Sequence, residues 1–234
     1  LVFPGYAPRR SLTPPSGKAP KSVKVSLIST TRNEADSVRE WLDSLAAQSR
    51  WPDEVVIVDS GSTDGTAEVL HTLTQSFPIP LKLIEAPGAN IARGRNLAIQ
   101  HASHPVIACT DFHSVPDTRW LEYLIKPFEL DEQVQLSAGY YRIANHSILQ
   151  RLSAHFFGLD RESFDPQEFL PSSRSIAMTK SFWARAGGYP EWLSDAGEDT
   201  LFDYQAKSQK AQWAFVPEAF VSWNAPGSYR KLFQ

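Results

Sequence analysis

The chain has 234 residues, enough for one large domain with a sizeable buried core. Its hydrophobic fraction of 42% and charged fraction of 21% exclude wholesale disorder, and its net charge of -3 gives no reason to expect nucleic acid or anionic lipid as a partner. A single cysteine, Cys109, excludes an internal disulfide framework and a cysteine zinc cluster, and it is typical of a reducing compartment.

The start of the chain differs in composition from the rest. Residues 1–22 are rich in proline and basic side chains and predict an extended arm, because proline fixes φ and lacks a backbone donor. The chain begins with Leu1 rather than Met, so we expect a fragment of a longer protein. No apolar run reaches the roughly 18 residues that a membrane span needs. We expect residues 23–234 to form a single domain.

From Val23 onward, apolar runs alternate with segments of helical periodicity. Four apolar runs predict strands: residues 23–29, 55–58, 81–84 and 106–110. Apolar positions three and four apart predict helices at residues 36–48, 66–77, 91–102 and 120–128. This alternation indicates a largely parallel sheet with right-handed crossovers.

After about Gln133 the pattern is less regular and aromatic residues are frequent. It predicts a strand near residues 136–143, a loop through residues 171–175, and helices near residues 148–157, 181–186 and 199–207.

Polar side chains follow three of the predicted strands: TTRNE at 30–34, DSGS at 59–62 and TDFH at 110–113. In open α/β sheets, ligands bind outside the carboxyl ends of the strands, so these segments predict one site. Carboxylates there can accept from a base or a ribose, and Asp111 could instead hold a divalent cation shared with phosphates. The glycine signatures of the P-loop and the dinucleotide fold are missing. A diphosphate would then be met by a metal and basic residues, with Arg93 and Arg95 best placed.

Six short motifs follow one another along the chain: VSLISTTRNE at 25–34, VDSGSTDGT at 58–66, GRN at 94–96, WLE at 120–122, GGYPE at 187–191 and GEDT at 197–200. As an ordered set they resemble the family-two inverting glycosyltransferases of the GT-A fold, from about Val23 to Trp223. The resemblance implies an α/β fold with a Rossmann-like, mixed and mainly parallel sheet flanked by helices. It also implies a nucleotide-binding half at about 23–132 and an acceptor-side catalytic half at about 133–234.

The resemblance also assigns roles to single residues. The residues implied in nucleotide binding are Thr30, Arg32, Glu34, Asp59, Ser60, Arg93, Arg95 and Asp111. Asp199, next to Glu198, would be the general base that takes the proton of the acceptor hydroxyl. Attack on the anomeric carbon would then invert its configuration.

The implied cofactor is Mn²⁺ or Mg²⁺, and the implied donor is a nucleoside-diphosphate sugar, with a UDP-linked sugar favoured. The acceptor would be a glycan, a lipid-linked or another hydroxyl compound, and nucleic acid is not expected. We expect a cytoplasmic protein, including the cytoplasmic face of a membrane, with any membrane association made through segments outside this chain.

The sequence departs from the family at two places and leaves several roles open. The usual Asp-x-Asp metal motif reads Asp111-Phe112-His113, so His113 is either a metal ligand, together with Asp111, or a residue that caps the strand or contacts phosphate. Trp223 stands where many relatives place a histidine, and it would either contact sugar or close the core. Arg174 would meet phosphate or acceptor, or lie in a plain surface loop.

Two assignments have simpler alternatives. Asp59 would bind the base, or it would only cap the turn that follows it. Asp199 would be the general base, or an acidic residue favoured by the helix dipole. The altered metal motif leaves a non-catalytic nucleotide-sugar-binding domain of a larger membrane-associated assembly as the alternative function. A sugar nucleotidyltransferase fits least, because TTRN at 30–33 has no glycine for a phosphate loop.

Overall fold

The computed structural model of the chain describes residues 21–143, 169–193 and 197–223. Most of the predicted arm at residues 1–22 and the helix predicted near residues 148–157 lie outside the described residues.

The first part of the chain alternates strands and helices as the apolar pattern predicts. Its elements are β1 (Val25–Thr31), α1 (Val38–Ala46), β2 (Glu54–Asp59), α2 (Thr66–Thr74), β3 (Leu81–Glu85), α3 (Ile91–His101) and β4 (Val106–Cys109). Strands β1, β2, β3 and β4 pair in parallel, in the order β3-β2-β1-β4. Their carboxyl ends therefore lie at one edge of the sheet, as a strand–helix alternation requires.

The second part adds antiparallel pairings. Its elements are β5 (Ser114–Pro116), α4 (Trp120–Leu130), β6 (Leu136–Ile143), β7 (Ile176–Thr179), α5 (Lys180–Ala186), α6 (Glu198–Ser208) and β8 (Trp213–Trp223). Strand β7 pairs antiparallel with both β4 and β6, while β6 pairs in parallel with β8. The eight described strands form one sheet in the order β3-β2-β1-β4-β7-β6-β8-β5. The expectation of a mixed α/β sheet flanked by helices is confirmed.

Three strands had no clear signal in the sequence. Strands β5 and β7 are only 3 and 4 residues long, so a period of two cannot be distinguished in them. Strand β8 carries Pro217 and Glu218 in its middle, where its pairing with β6 shifts register. Proline lacks the donor for a ladder hydrogen bond and is confined to edges or bulges, so it hides a strand from pattern reading.

Side chains alternate across the strands and fill two cores on opposite faces of the sheet. One core joins Leu27 and Ile57 to α1, α2 and α4, and the other joins Ile28 and Val58 to α3, α5 and α6. Strands β1 and β2 are buried on both faces, which explains their continuous apolar runs. No helix in the described part of the chain is long and apolar enough to cross a bilayer.

Gly139 allows a close approach between β6, β8 and the loop before β7. A Cβ at this position would overlap the Ser175 hydroxyl and the Ala219 carbonyl oxygen. The Gly139 amide donates to the Ser175 carbonyl at 2.8 Å, and the Ser175 hydroxyl donates to the Ala219 carbonyl at 2.9 Å. The Trp120 indole donates to the same hydroxyl at 2.9 Å. The loop at residues 171–175 is thus anchored by buried hydrogen bonds.

We predict that Gly139→Ala lowers the free energy of unfolding by about 1–3 kcal/mol, the usual cost of overpacking a tight interior. Urea denaturation measures this change. The control is Ser137→Ala on the same strand, because the buried Ser137 hydroxyl has no hydrogen-bond partner in the described structure and its removal should be nearly neutral. An unchanged denaturation midpoint in Gly139→Ala would show that the loop can move away without cost.

Candidate active site

A cavity of about 360 Å³ lies at the carboxyl ends of the parallel strands. Its lining residues come from the ends of β1, β2 and β4 and from the start of α3: Thr30, Thr31, Arg32, Glu34, Ser60, Ala89, Asn90, Ile91, Asp111, Phe112 and His113. Six of the residues assigned from the sequence share this cavity: Thr30, Arg32, Glu34, Ser60, Asp111 and His113. The volume is in the range of small-molecule sites.

The loops after β1 and β2 are joined by polar contacts. The Asn33 amide donates to the Ser62 hydroxyl at 2.8 Å, and the Asn33 side-chain oxygen accepts from the Thr63 amide at 2.8 Å. The Glu34 amide donates to the Thr66 hydroxyl at 2.8 Å. These bonds explain why the motifs at 30–34 and 58–66 are polar. They hold one side of the cavity in a defined shape.

Asp59 lies behind this wall and is not among the lining residues. Its carboxylate is buried and accepts from the Gly61 and Ser62 amides, both at 2.8 Å, and from the Ser62 hydroxyl at 2.5 Å. The structure therefore shows Asp59 capping the turn after β2. Base binding by Asp59 stays a prediction.

Phe112 packs into the core between two other residues that line the cavity. Its ring is buried and stacks on Trp41 of α1, with ring centroids 4.3 Å apart. Asp111 and His113, on either side of it in the chain, are partly exposed and line the cavity.

Arg95 is the central contact of the site. Its guanidinium is buried and donates through Nη2 to Asp111 Oδ1 at 2.9 Å and through Nη1 to Glu198 Oε1. Asp111 follows β4, whereas Glu198 begins α6. Arg95 thus joins the nucleotide-side strand end to the helix that carries Asp199.

The pKa of the Asp111 carboxyl reflects this contact. Burial by itself would raise the pKa, but the charge of Arg95, and next that of Arg174, outweighs burial, so the pKa lies below its usual value. The pKa of Arg95 is raised well above its usual value, because its carboxylate partners, Asp111 first, outweigh the opposing effect of burial. Both groups are charged across the physiological range.

The GRN motif at residues 94–96 is explained by packing on both sides of Arg95. A Cβ on Gly94 would lie 2.7 Å from the Thr30 methyl carbon, so α3 can approach β1 only with glycine here. Asn96 is buried, and its amide nitrogen donates to the Tyr189 carbonyl and to the Glu191 carboxylate, both at 2.9 Å. Arg93, in contrast, is exposed and does not line the cavity.

Asp199 lies in the first turn of α6, beside Glu198, and is half-buried. Its Oδ1 accepts from the Thr200 amide at 2.8 Å. One turn later, Asp203 is buried, and burial followed by the charge of Asp199 raises the pKa of Asp203 well above its usual value. The charge of Lys207 acts in the opposite direction but is outweighed.

Arg174 lies near Asp111, in the loop predicted at residues 171–175. Its Cζ is 4.1 Å from the centre of the Trp223 ring system and 5.3 Å from that of Tyr141. Its Nη1 donates to the Ser172 hydroxyl at 3.0 Å. The sequence analysis left Arg174 and Trp223 with open roles, and the structure brings them into contact.

His113 contacts Glu34 across the cavity, with Nε2 and Oε1 2.6 Å apart. Within the described ranges, no three His, Cys, Asp or Glu side chains converge on a common metal position. Asp111 can still hold Mg²⁺ or Mn²⁺ together with phosphate oxygens, since such cations commonly bind one or two carboxylates plus substrate phosphates. Metal ligation by Asp111 and His113 stays a prediction.

Sequence reasoning missed part of the cavity wall. Ala89, Asn90 and Ile91 line it, and Asn90 also caps α3, where its side chain accepts from the Arg93 amide at 2.9 Å. The Asn90 amide nitrogen reaches across to the Glu191 carbonyl at 2.7 Å. An asparagine directly before a helical pattern is a capping signal, so its cap could have been predicted but its long-range contact could not.

The part of the chain from β1 to α5 matches a family model. The model described as Glycosyl transferase family 2 matches residues 26–186. The chain belongs to this family. The resemblance inferred from the ordered motifs is confirmed, and the matched range contains the cavity-lining residues.

Among curated proteins, the chain is similar to the poly-beta-1,6-N-acetyl-D-glucosamine synthase of Staphylococcus epidermidis, with 26% identity over 213 residues. The match covers 83% of this chain and 50% of that protein, so the chain spans about half the length of this relative.

Two solved structures of glycosyltransferases share the fold. The mannosyltransferase PcManGT from Pyrobaculum calidifontis, in complex with GDP-Man and Mn²⁺, has a TM-score of 0.68 at 24% identity, covering 94% of this chain and 63% of that one. S. aureus TarS in complex with UDP-GlcNAc has a TM-score of 0.67 at 22% identity, covering 88% of this chain and 59% of that one. The chain therefore has the GT-A fold, as expected.

We predict that Arg95→Met lowers the free energy of unfolding near neutral pH by about 3–5 kcal/mol, because two carboxylates lose the partner that offsets their burial. Denaturant titration over a pH series measures the loss. The folded-state pKa of Asp111 is depressed, so its stabilising contribution is complete above the unfolded-state pKa of about 3.9 and is lost as the pH falls through the folded-state pKa. The difference in free energy of unfolding between wild type and Arg95→Met should therefore narrow below about pH 4.

The matched control is Arg185→Met, which removes an exposed arginine that lies over the Phe182 ring at 5.4 Å. Its effect should stay within about 0.5 kcal/mol, as for other surface substitutions. If Arg95→Met lowered the free energy of unfolding by the same amount at every pH, the loss of stability would not come from the carboxylates.

Proposed function

We propose that this chain is the catalytic domain of an inverting glycosyltransferase that moves a sugar from a nucleoside diphosphate to an acceptor hydroxyl. The observation that carries the proposal is the Arg95 bridge. It connects Asp111, at the wall of the strand-end cavity, to Glu198, the residue that directly precedes Asp199. A donor pocket and a carboxylate suited to activate an acceptor are thereby connected through one buried side chain.

In this mechanism, Asp199 takes the proton of the acceptor hydroxyl while the oxygen attacks the anomeric carbon from the face opposite the diphosphate. The bond from that carbon to the diphosphate oxygen breaks in the same step, and its electron pair stays on the leaving nucleoside diphosphate. Such base catalysis contributes about 10²–10⁴-fold, since an alcohol is a poor nucleophile until its proton leaves. The anomeric configuration inverts.

The cavity is our proposed donor site. Thr30, Arg32, Glu34 and Ser60 would contact the nucleoside, with Asp59 shaping the loop beneath Ser60. Asp111, with His113 as the predicted second ligand, would hold Mn²⁺ or Mg²⁺ together with the diphosphate. A cation held there supplies electrostatic stabilisation of the leaving group. Ligation through Nε2 would require that the ring give up the contact with Glu34, whereas ligation through Nδ1 would keep it.

The comparisons support the substrate classes of the proposal. TarS was solved with UDP-GlcNAc and PcManGT with GDP-Man and Mn²⁺, which supports a nucleotide-sugar donor and a divalent cation. Similarity to a poly-beta-1,6-N-acetyl-D-glucosamine synthase supports a role in polysaccharide or glycoconjugate synthesis, with a glycan as acceptor. We favour a UDP-linked donor. Membrane association through segments outside this chain, and a cytoplasmic location, remain predictions.

We predict that UDP with Mn²⁺ raises the melting temperature more than GDP or dTDP does. At a ligand concentration of 100 times Kd the stabilisation is about 2.7 kcal/mol, which corresponds to roughly 5–10 °C for a domain of this size. A thermal-shift panel with and without MnCl₂ measures it. Asp111→Asn should lose the part of the shift that needs Mn²⁺. A panel in which no nucleotide shifts the transition would contradict the donor site.

We predict that Asp199→Asn lowers kcat by about 10²–10⁴-fold and leaves UDP binding nearly unchanged, because the amide cannot accept the hydroxyl proton. Release of the nucleoside diphosphate measures turnover, and calorimetry measures binding. The control is Glu122→Gln, which alters another acidic residue in the first turn of a helix, paired with Arg119 at 2.7 Å.

If Asp199 served only the helix dipole, the Asp199 and Glu122 variants would keep similar turnover. A wild-type chain that binds donor but transfers no sugar with any metal would instead favour a non-catalytic nucleotide-sugar-binding domain.

A further inference from the structure

Arg174 is held by aromatic rings and not by a carboxylate. Its guanidinium lies 4.1 Å from the Trp223 ring centre and 5.3 Å from that of Tyr141, while the Tyr141 and Trp223 rings meet edge to face at 6.2 Å. Over the described ranges of the chain, it forms no ion pair with an acidic side chain. Contacts of this kind hold a guanidinium beside ring faces without using its N–H donors in an ion pair.

The backbone on both sides of Arg174 is fixed. Ser173 and Ser175 are each at most 2% exposed. The Ser173 hydroxyl is 3.1 Å from the Tyr189 hydroxyl, and Tyr189 in turn lies under the Arg95 guanidinium, 5.5 Å from Cζ to the ring centre. Ser175 is fixed by the bonds to β6 and β8 described above. A cation in such a segment is already positioned and loses little freedom when it binds an anion.

The charge of Arg174 acts on both the donor side and the acceptor side of the proposed site. Its charge lowers the pKa of Asp111 at the donor side, after the effects of burial and Arg95. It also lowers the pKa of Tyr141, a ring that senses the charge of Asp199 as well, although burial keeps that pKa raised. The sheet gives the same placement, because Trp223, which Arg174 contacts, pairs with Ser114, the residue that follows His113 of the cavity wall.

The carboxylates of the site leave negative charge that a further cation could offset. Arg95 is committed to Asp111 and Glu198, two carboxylates against one guanidinium, and Arg93 is exposed outside the cavity. A diphosphate that arrives beside Asp111 would meet negative charge there. Arg32 lines the cavity but is exposed, and we assign it to the nucleoside. Arg174 is not among the lining residues; it lies against Trp223 and Tyr141, and within the described residues its side chain donates only to Ser172, so it has further donors with which to offset this charge.

We propose that Arg174 is a catalytic residue that binds the diphosphate of the nucleotide donor and stabilises it as it leaves. When the bond from the anomeric carbon to oxygen breaks, the electron pair moves onto the diphosphate, and the guanidinium offsets the added charge without changing its own protonation. Trp223 and Tyr141 are positioning residues for this cation. The inference rests on the proposed glycosyl transfer and adds a residue to it.

Calorimetry with UDP, GDP, uridine and guanosine tests the inference on the full chain. Arg174→Gln should raise the Kd of the bound nucleoside diphosphate by about 10- to 100-fold, the range of a lost charge-assisted hydrogen bond. The Kd of the nucleoside, which carries no phosphate, should not change. Arg174→Lys keeps the charge but not the planar fork, so its Kd should lie between those of wild type and Arg174→Gln.

The matched control is Arg142→Gln. Arg142 also lies over an aromatic ring, with its Cζ 4.0 Å from the Phe220 ring centre, but it is exposed. Arg142 and Phe220 belong to β6 and β8, the strands that carry Tyr141 and Trp223. Arg142→Gln should bind UDP and GDP as wild type does. Urea denaturation of each variant shows whether a loss of binding is a loss of folding.

Three results would overturn the inference. Arg174→Gln could bind the nucleoside diphosphate as tightly as wild type, it could lose nucleoside binding to the same extent, or it could raise only the KM of the acceptor. In each case a wild-type chain that binds and turns over donor leaves the proposed function intact. A wild-type chain that binds neither UDP nor GDP would overturn the proposed function as well.

Discussion

The buried contact of Arg95 with Asp111 and Glu198 is the interaction on which the rest of the site depends. Desolvating three charges is costly, and only an arrangement in which each carboxylate meets a guanidinium nitrogen offsets that cost. Arginine suits this position because its planar fork can donate to two partners at once, whereas a lysine ammonium is a compact point charge. The pair brings together a strand end and a helix start that lie 87 residues apart in the chain, at positions 111 and 198.

The sheet topology makes this contact available. The parallel strands β1 and β4 bring their carboxyl ends to one edge, and the antiparallel strand β7 joins β4 to the second half of the sheet. Two glycines allow the close approaches that follow. Gly94 lets α3 approach β1 so that Arg95 reaches beneath the site, and Gly139 lets the loop with Arg174 lie against β6 and β8. Both positions exclude a Cβ for steric reasons and do not require unusual backbone angles.

Carboxylates and arginines together set the charge of the site. Arg95 holds the pKa of Asp111 below its usual value and also contacts Glu198 at the start of α6, whereas burial raises the pKa of Asp203 well above its usual value. The proposed role of Arg174, which lies against Trp223, is to offset the negative charge of a bound diphosphate. A site that must first accept an anionic donor and then stabilise a more anionic leaving group benefits from cations that are already oriented, because no reorganisation is needed during the reaction.

The amino-acid sequence by itself determined the alternation of strands and helices up to β4, the helix α4, the polar strand ends and the family, because these depend on local periodicity and on short ordered motifs. It also indicated that Asp111 and His113 would face one cavity. Only the tertiary structure decided that Arg95 is buried between Asp111 and Glu198 and that Trp223 lies against Arg174. These outcomes depend on contacts between distant segments, and neither hydrophobic period nor residue type specifies which distant charges will meet. Strands β5, β7 and β8 were likewise decided by pairing, since they are too short or too interrupted to show a pattern of their own.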